Sequence, residues 1–250
     1  MNYDPVSKCE IGNPPISFPN SEPLYSPHSV QGVHMEDEPK NLPVAFADSV
    51  ASEKLVDAAA TAADIGLDAA ISSGALDGIP FFGALTGFAR AGLAYRDWLF
   101  QKKVATFLST FEKTPLEDRR AFIANLEKKG KKAEFGETVL LLLDRADDMK
   151  KPEIIARVMS AAANGKLSLD KAIRLAKIVD RAFSEDLRFL LDFKEGVQKD
   201  KDVASALFSA GLLVDVGIDG GLMMEEDSGG TMYDLNLYGK LLSEHGLKDH

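Results

Sequence analysis

The chain has 250 residues, with 29 basic and 39 acidic side chains and a formal net charge of −10. That balance excludes general affinity for nucleic acid or anionic lipid. Cys9 is the only cysteine, which excludes an internal disulfide and a cysteine-based metal site.

Residues 1–45 hold eight of the eleven prolines, with two basic and six acidic side chains. Few apolar residues separate the prolines, so the segment cannot bury enough surface to offset its ordering entropy. It reads as a disordered tail, dispensable for folding, whose ISF and LY islands are short docking elements at most. The start lacks a basic run followed by an apolar one, so no secretory signal is expected and the default compartment is the cytoplasm.

An Ala-rich helix is expected over 47–73, capped by Asp48 or Ser49 and ended by Ser72-Ser73-Gly74. Asp77-Gly78-Ile79-Pro80 is a break, with Pro80 suited to a first helical turn. From Phe81 apolar residues recur at helical spacing as far as Phe111, and Pro115 forbids continuation. This predicts one helix over 81–113, roughly 45 Å long at about 1.5 Å per residue. It packs with 47–73 as a helical hairpin.

The stretch GIPFFGALTGFARAGLAYRDWLFQKK, residues 78–103, is the most apolar long segment and holds the only Trp. Gly83 and Gly87 form a GxxxG pattern that permits close helix approach. The uncharged run ends at Arg90, too short to span a bilayer. Two readings follow for Phe81, Phe82, Phe88, Gly83, Gly87, Arg96 and Asp97. In the first the rings are core. In the second this stretch is a membrane or partner contact, with the 47–113 hairpin lying on or in lipid.

Thr114-Pro115-Leu116-Glu117 predicts a capping box, opening a helix that stops at Gly130. The cations Lys128, Lys129, Lys131 and Lys132 complement the dipole at that helix end. A helix over 134–150 carries the apolar run Val139 to Leu143, placing it centrally in a bundle. Lys151-Pro152 marks a break. A helix with Ile154, Ile155, Val158, Met159 and Ala162 inward ends at Asn164-Gly165. Ser168 caps the next, with Ile173, Ala176, Val179 and Phe183 inward, and Ser184 starts another. Asp144, Asp147 and Asp148 form a solvated face.

From about 200 the pattern changes. A helix over 203–210 ends at Gly211, Leu212 to Ile218 alternates, and Asp219-Gly220 signals a tight hairpin turn. A returning strand at 231–235 and a helix at 237–245 follow. The ALFSAGLL and TMYDLNLYGKLLSEHGL segments resemble the end of winged-helix domains, through Tyr233, Leu235 and Gly239. Residues 196–250 carry four basic and ten acidic side chains, so protein contact is expected there and DNA binding is not.

The chain lacks a P-loop, a dinucleotide fingerprint and a nucleophile motif, and its four histidines have no ligand spacing. Asp215, Asp219, Gly220 and Glu226 match positions one, five, six and twelve of a calcium loop, but Gly217 occupies position three, which needs an oxygen side chain. No catalytic residue, cofactor or metal is assigned.

The segments IPFFGALTGFARAGLAYRDWLFQKKVATFL, GETVLLLLDRADDMKKPEIIARVM and GKLSLDKAIRLAKIVDRAF resemble a group of poorly characterised bacterial all-helical proteins. The resemblance covers about 46–250 and rests on the Ile-Pro helix start, the Arg96-Asp97 pair and the acidic Leu-rich helix. It implies a link to anti-phage defence and brings no catalytic residues. The expectation is a mainly α protein: a tail at 1–45, a helical bundle at 46–195 and a winged-helix-like module at 196–250. Its expected function is that of a non-enzymatic sensor or adaptor working through a protein partner or self-association. The alternative is a membrane-associated effector, peripheral to the inner membrane.

Overall fold

A computed structural model of the chain describes residues 41–85, 95–194, 200–219 and 230–247. The fold is mainly helical with one small antiparallel sheet. In chain order come α1 (Leu42–Val50), α2 (Lys54–Ile65), α3 (Leu67–Ser72), α4 (Pro80–Leu85) and α5 (Tyr95–Phe111). Then come α6 (Leu116–Lys128), α7 (Lys132–Arg145), α8 (Lys150–Ala163), α9 (Leu169–Arg181), α10 (Ser184–Leu187) and α11 (Leu190–Lys194). The chain closes with α12 (Lys201–Ser209), β1 (Leu213–Asp219), β2 (Gly230–Leu235) and α13 (Leu237–His245).

The centre of the bundle is α1, which packs on α7, α4, α6 and α5. Leu42, Phe46 and Val50 recur four residues apart and Pro43 sits in the first turn, so the segment has both a helix start and an apolar face. It begins inside the expected 1–45 tail, where proline content masked this short period. Phe46 is fully buried, with the rings of Phe107, Phe81 and Phe135 at 5.4, 6.2 and 6.4 Å. The approach to α7 is close enough that a Cβ on Gly136 would lie 2.0 Å from the Pro43 carbonyl oxygen. Gly136→Ala must therefore push two helix backbones apart. A loss of at least about 1–3 kcal/mol is expected in urea denaturation, and an unchanged midpoint would disprove the contact.

The single helix expected over 47–73 is three. Residues 51–53 interrupt it after α1, and Gly66, at φ +85°, separates α2 from α3. Asp48 and Ser49 lie within α1 and do not cap. Asp48 pairs with Lys132 at 2.8 Å. The Ser49 hydroxyl donates to the Ala45 carbonyl (2.8 Å) and accepts from the Phe81 amide (2.9 Å). It thus serves the first turn of α4, whose amides have no intrahelical partner. The helix expected over 81–113 is represented by α4 and α5, and residues 86–94 lie outside the described ones. As expected, α2 and α3 both pack on α5. With Leu76, Ile79 and Phe82 they line a small, partly open apolar pocket of about 20 Å³, room for about one water molecule.

The capping box is absent from α6. Thr114 is still turned back on α5, its amide bonded to the Phe111 carbonyl at 2.9 Å. Pro115 takes the cap position, accepting the Arg119 amide (3.1 Å). The helix stops where expected, with Gly130 at φ +67° and the Lys131 amide reaching back to the Leu126 carbonyl at 2.8 Å. On α7, Val139, Leu140, Leu142 and Leu143 are buried, but Leu141 points to solvent because only one side of the helix is covered.

The break before α8 falls at 146–149, ahead of Lys151-Pro152. Pro152 stands in the first turn of α8, where an amide is not needed. The signal belongs to Asp148, whose Oδ1 accepts from the amides of Lys150 (2.8 Å) and Lys151 (3.0 Å) and whose Oδ2 accepts from the Ser184 hydroxyl. Burial alone would raise its pKa, but these hydrogen bonds and Lys151 outweigh burial and hold the carboxyl below its ordinary value. A depressed folded pKa stabilises above the ordinary carboxylate range, and that contribution is lost as pH falls through the folded value. Asp148→Ala should cost about 0.5–2 kcal/mol at neutral pH. Its deficit against the natural protein should narrow in acid; a pH-independent deficit would show that charge plays no part.

Ser168 caps α9 as expected, accepting from the Lys171 amide. Ala172, Leu175, Ala176, Ile178 and Val179 face the core. Phe183 is exposed instead of inward, because α9 ends at Arg181 and Ala182 is extended, which takes Phe183 off the helical face. The end of the chain does not stand apart from the bundle. One apolar core runs from Phe46 to Leu242, α13 packs on α8, and Arg157 of α8 donates to the Gly246 carbonyl at 3.2 Å.

Candidate functional site

The described residues among those singled out around the central stretch do not come together on one surface. Phe81 and Phe82 are interior, at 0% and 5% exposure, so as folded they present no contact surface. Gly83 lies close to the preceding turn: a Cβ there would meet the Asp77 carbonyl oxygen at 3.0 Å. Arg96 and Asp97 are exposed, and Arg96 pairs with Asp144 at 3.2 Å. A pair this open to solvent contributes little to stability. Phe88 and Gly87 lie outside the described residues.

The other acidic residues of that neighbourhood are structural. Asp147 pairs with the buried Lys151 at 2.8 Å, whose ammonium also donates to the Asp180 carbonyl at 2.9 Å. Among the described residues no group of acidic, His or Cys side chains is arranged to hold a metal ion.

The surface that does assemble is the C-terminal hairpin. Strands β1 and β2 pair antiparallel from Leu213↔Leu235 to Asp219↔Gly230. Leu213 and Leu235 are buried and anchor the hairpin in the core. That register puts the connection at 220–229, longer than the Asp219-Gly220 turn expected, and outside the described residues. The regular alternation expected for β1 is also broken. Asp215 pairs with Tyr233 and Gly217 with Met232, leaving Val216 as the extra residue of a bulge. The Asp215 carboxylate accepts the Gly217 amide at 2.8 Å, and Gly217 takes φ +135°, a conformation that favours glycine.

Val214, Val216, Ile218 and Met232 all reach solvent; Val216 is 56% and Ile218 82% exposed. Phe208 of α12, also exposed, meets the Tyr233 ring at 5.3 Å, and Tyr233 shares its face of the hairpin with Ile218, opposite Val214 and Met232. Asp215 and Asp234 supply an acidic rim. In the two-stranded sheet each strand has one hydrogen-bonded neighbour, so each has an edge without a sheet partner among the described residues.

The hairpin is held rigidly at its base. The Asn236 carboxamide oxygen accepts the Tyr238 and Gly239 amides at 2.9 and 3.0 Å, capping α13. Its nitrogen donates to the Gly211 and Leu213 carbonyls at 2.8 and 3.2 Å. One side chain thus ties the start of β1 to the start of α13. Gly239 allows this joint, since a Cβ there would stand 2.2 Å from the Leu212 carbonyl oxygen. The strands were legible in the sequence. Their exposure was not, because an apolar strand at a domain edge and one in a core share the same composition.

Among the described residues no helix is long and apolar enough to cross a membrane. Comparisons of the chain with protein-family models, with curated proteins and with solved structures find no match.

Proposed function

We propose that this protein is a non-enzymatic bacterial sensor or adaptor, acting in anti-phage defence through protein contacts made by the β1–β2 hairpin. The observation that supports this reading is the set of exposed apolar side chains on the hairpin, Val214 and Met232 on one face, Ile218 on the other and Val216 at the bulge, on a sheet whose edges lack strand partners among the described residues. Exposed β-branched residues on an unpaired edge favour addition of a strand or docking of an apolar partner surface. Their rigid attachment through Asn236 means that little ordering is needed on binding.

The membrane-effector alternative draws less support. It requires Phe81 and Phe82, which pack in the aromatic core, to leave it.

Replacing Val216 and Ile218 together by Asp tests the adaptor reading. Both side chains are exposed, so each change should alter stability by no more than about 0.5 kcal/mol. Cells carrying the double variant should lose phage protection while the purified protein keeps its melting temperature. Full protection by a folded variant would overturn the proposed role of the hairpin.

A further inference from the structure

We propose that the occupant of the β1–β2 hairpin is a basic, partly apolar segment of a partner protein, laid along the hairpin as an extended strand. This partner class rests on the reading of the hairpin as a contact surface and adds to it a sign of charge and a side-chain pattern.

The hairpin projects from the bundle as an arm. Beyond the buried pair Leu213 and Leu235, residues 214–218, 231, 232 and 234 are exposed, so both faces of the ribbon meet solvent. A two-stranded ribbon is marginal in water, and a third strand or a packed face completes it. Each face offers the same two chemistries. Cross-strand partners share a face, and the bulge at Val216 resets the alternation of β1. Asp215, Tyr233 and Ile218 therefore lie on one face, and Asp234, Val214 and Met232 on the other. One carboxylate and two large apolar groups stand on each.

The charge of the arm has a single sign. From Leu212 to Gly239 the sequence has six acidic residues and no Lys, Arg or His. Asp215 and Asp234 are exposed, and neither is paired with a cation among the described residues. Each accepts a backbone amide instead, Asp215 that of Gly217 at 2.8 Å and Asp234 that of Leu235 at 2.7 Å. Basic groups belong to the elements at the base of the arm. Lys201 stands between Asp200 and Asp202, Lys240 is in α13, and the Arg174 guanidinium lies 4.8 Å from the Tyr238 ring centroid.

That sign decides between occupants. A second copy of the hairpin would bring the same carboxylates alongside, and like charges across a sheet destabilise it. Nucleic acid and anionic lipid would bring phosphates to them. A cationic strand is attracted and steered instead. Successive side chains of an added strand alternate between the two faces. A segment that gives each face both a cation and an apolar group therefore repeats two basic residues and then two apolar ones. Strand β2 has six residues, about 20 Å of extended chain, so eight residues cover it.

The test uses the full chain and a fluorescent octapeptide, Lys-Lys-Ile-Val repeated twice. Anisotropy should show binding that weakens with salt. Counterparts with Glu in place of Lys, or Ser in place of Ile and Val, should not bind. Asp215→Asn with Asp234→Asn removes both charges and keeps an amide oxygen to accept the Gly217 and Leu235 amides. It should weaken binding at least about threefold, as for two exposed charge pairs, with an unchanged melting temperature. No binding of the Lys peptide, equal binding of the Glu peptide or undiminished binding by the Asn variant would each overturn the proposal. So would tighter binding of duplex DNA or of phosphatidylglycerol vesicles, or a dimer in sedimentation that Val216→Asp/Ile218→Asp dissolves. Loss of phage protection by Val216→Asp/Ile218→Asp beside any of these results would overturn the basic occupant alone and keep the hairpin as the contact surface. Retained protection would overturn both.

Discussion

Phe81→Ala should lose about 3–5 kcal/mol of folding stability, the range for truncating a fully buried aromatic ring. The ring has no solvent exposure and lies 5.3, 6.1 and 6.2 Å from the rings of Phe82, Phe100 and Phe46. Two of these contacts join α4 to α5 and α1, so the truncation leaves a cavity between three helices that cannot all close on it. Its amide, bonded to Ser49, holds the same helix start from the backbone side. Urea denaturation of the purified variant measures the loss. The neighbouring Phe82→Asp change carries the functional contrast. Burying a carboxylate among these rings should prevent stable folding. A Phe82→Asp protein with an unchanged melting temperature and lost liposome binding would instead favour the membrane-effector alternative.

Arg119→Met should cost about 3 kcal/mol or more, although it removes no ion pair. Arg119 is 1% exposed and donates to three carbonyls: Thr114 at 3.0 Å, Val50 at 2.9 Å and Ser52 at 3.1 Å. Val50 and Ser52 stand at the C-terminal end of α1, where carbonyls lack intrahelical partners and the dipole favours a cation. Burial pushes the guanidinium pKa below its ordinary value, with Glu112 opposing the shift. An arginine remains charged even so. Methionine fills similar volume but leaves these buried acceptors without this donor, at about 1–3 kcal/mol each where no water replaces it. Arg119→Lys keeps the charge but cannot reach three acceptors in a fork, so partial loss is expected. A stable Arg119→Met protein would mean that water or relaxation satisfies the end of α1.

These two residues connect stability to the proposed contacts. The hairpin is a surface feature, and it depends on a bundle whose centre is α1 and its partners. Variants at Phe81 or Arg119 should therefore reduce function through loss of fold, whereas hairpin variants should reduce it in folded protein. Melting temperature measured beside each functional readout separates the two classes.

The residues that were legible in the sequence are those whose structure is decided by their immediate neighbours. Ser168 caps α9, Gly130 and Gly211 take positive φ after helices, Pro80 opens α4, and α13 spans Leu237–His245 as expected. Mainly helical class, the two strands and the helices α6 to α9, α12 and α13 follow from such signals, whereas the one helix expected from Ser184 is two, α10 and α11. What the sequence alone did not decide are pairings between distant segments. Asp48 and Ser49 have the chemistry of caps, but Ser49 serves the start of α4 and Asp48 pairs with Lys132. Pro43 marked a tail by composition, yet α1 begins beside it because Phe46 finds three rings from other helices. Val214, Val216 and Ile218 have core composition and lie in solvent, since among the described residues the hairpin meets the core through Leu213, Leu235 and the half-buried Tyr233. Hydrogen bonding and φ preference act over a few residues and are written locally. Burial depends on which surfaces meet, and only the tertiary structure brings those together.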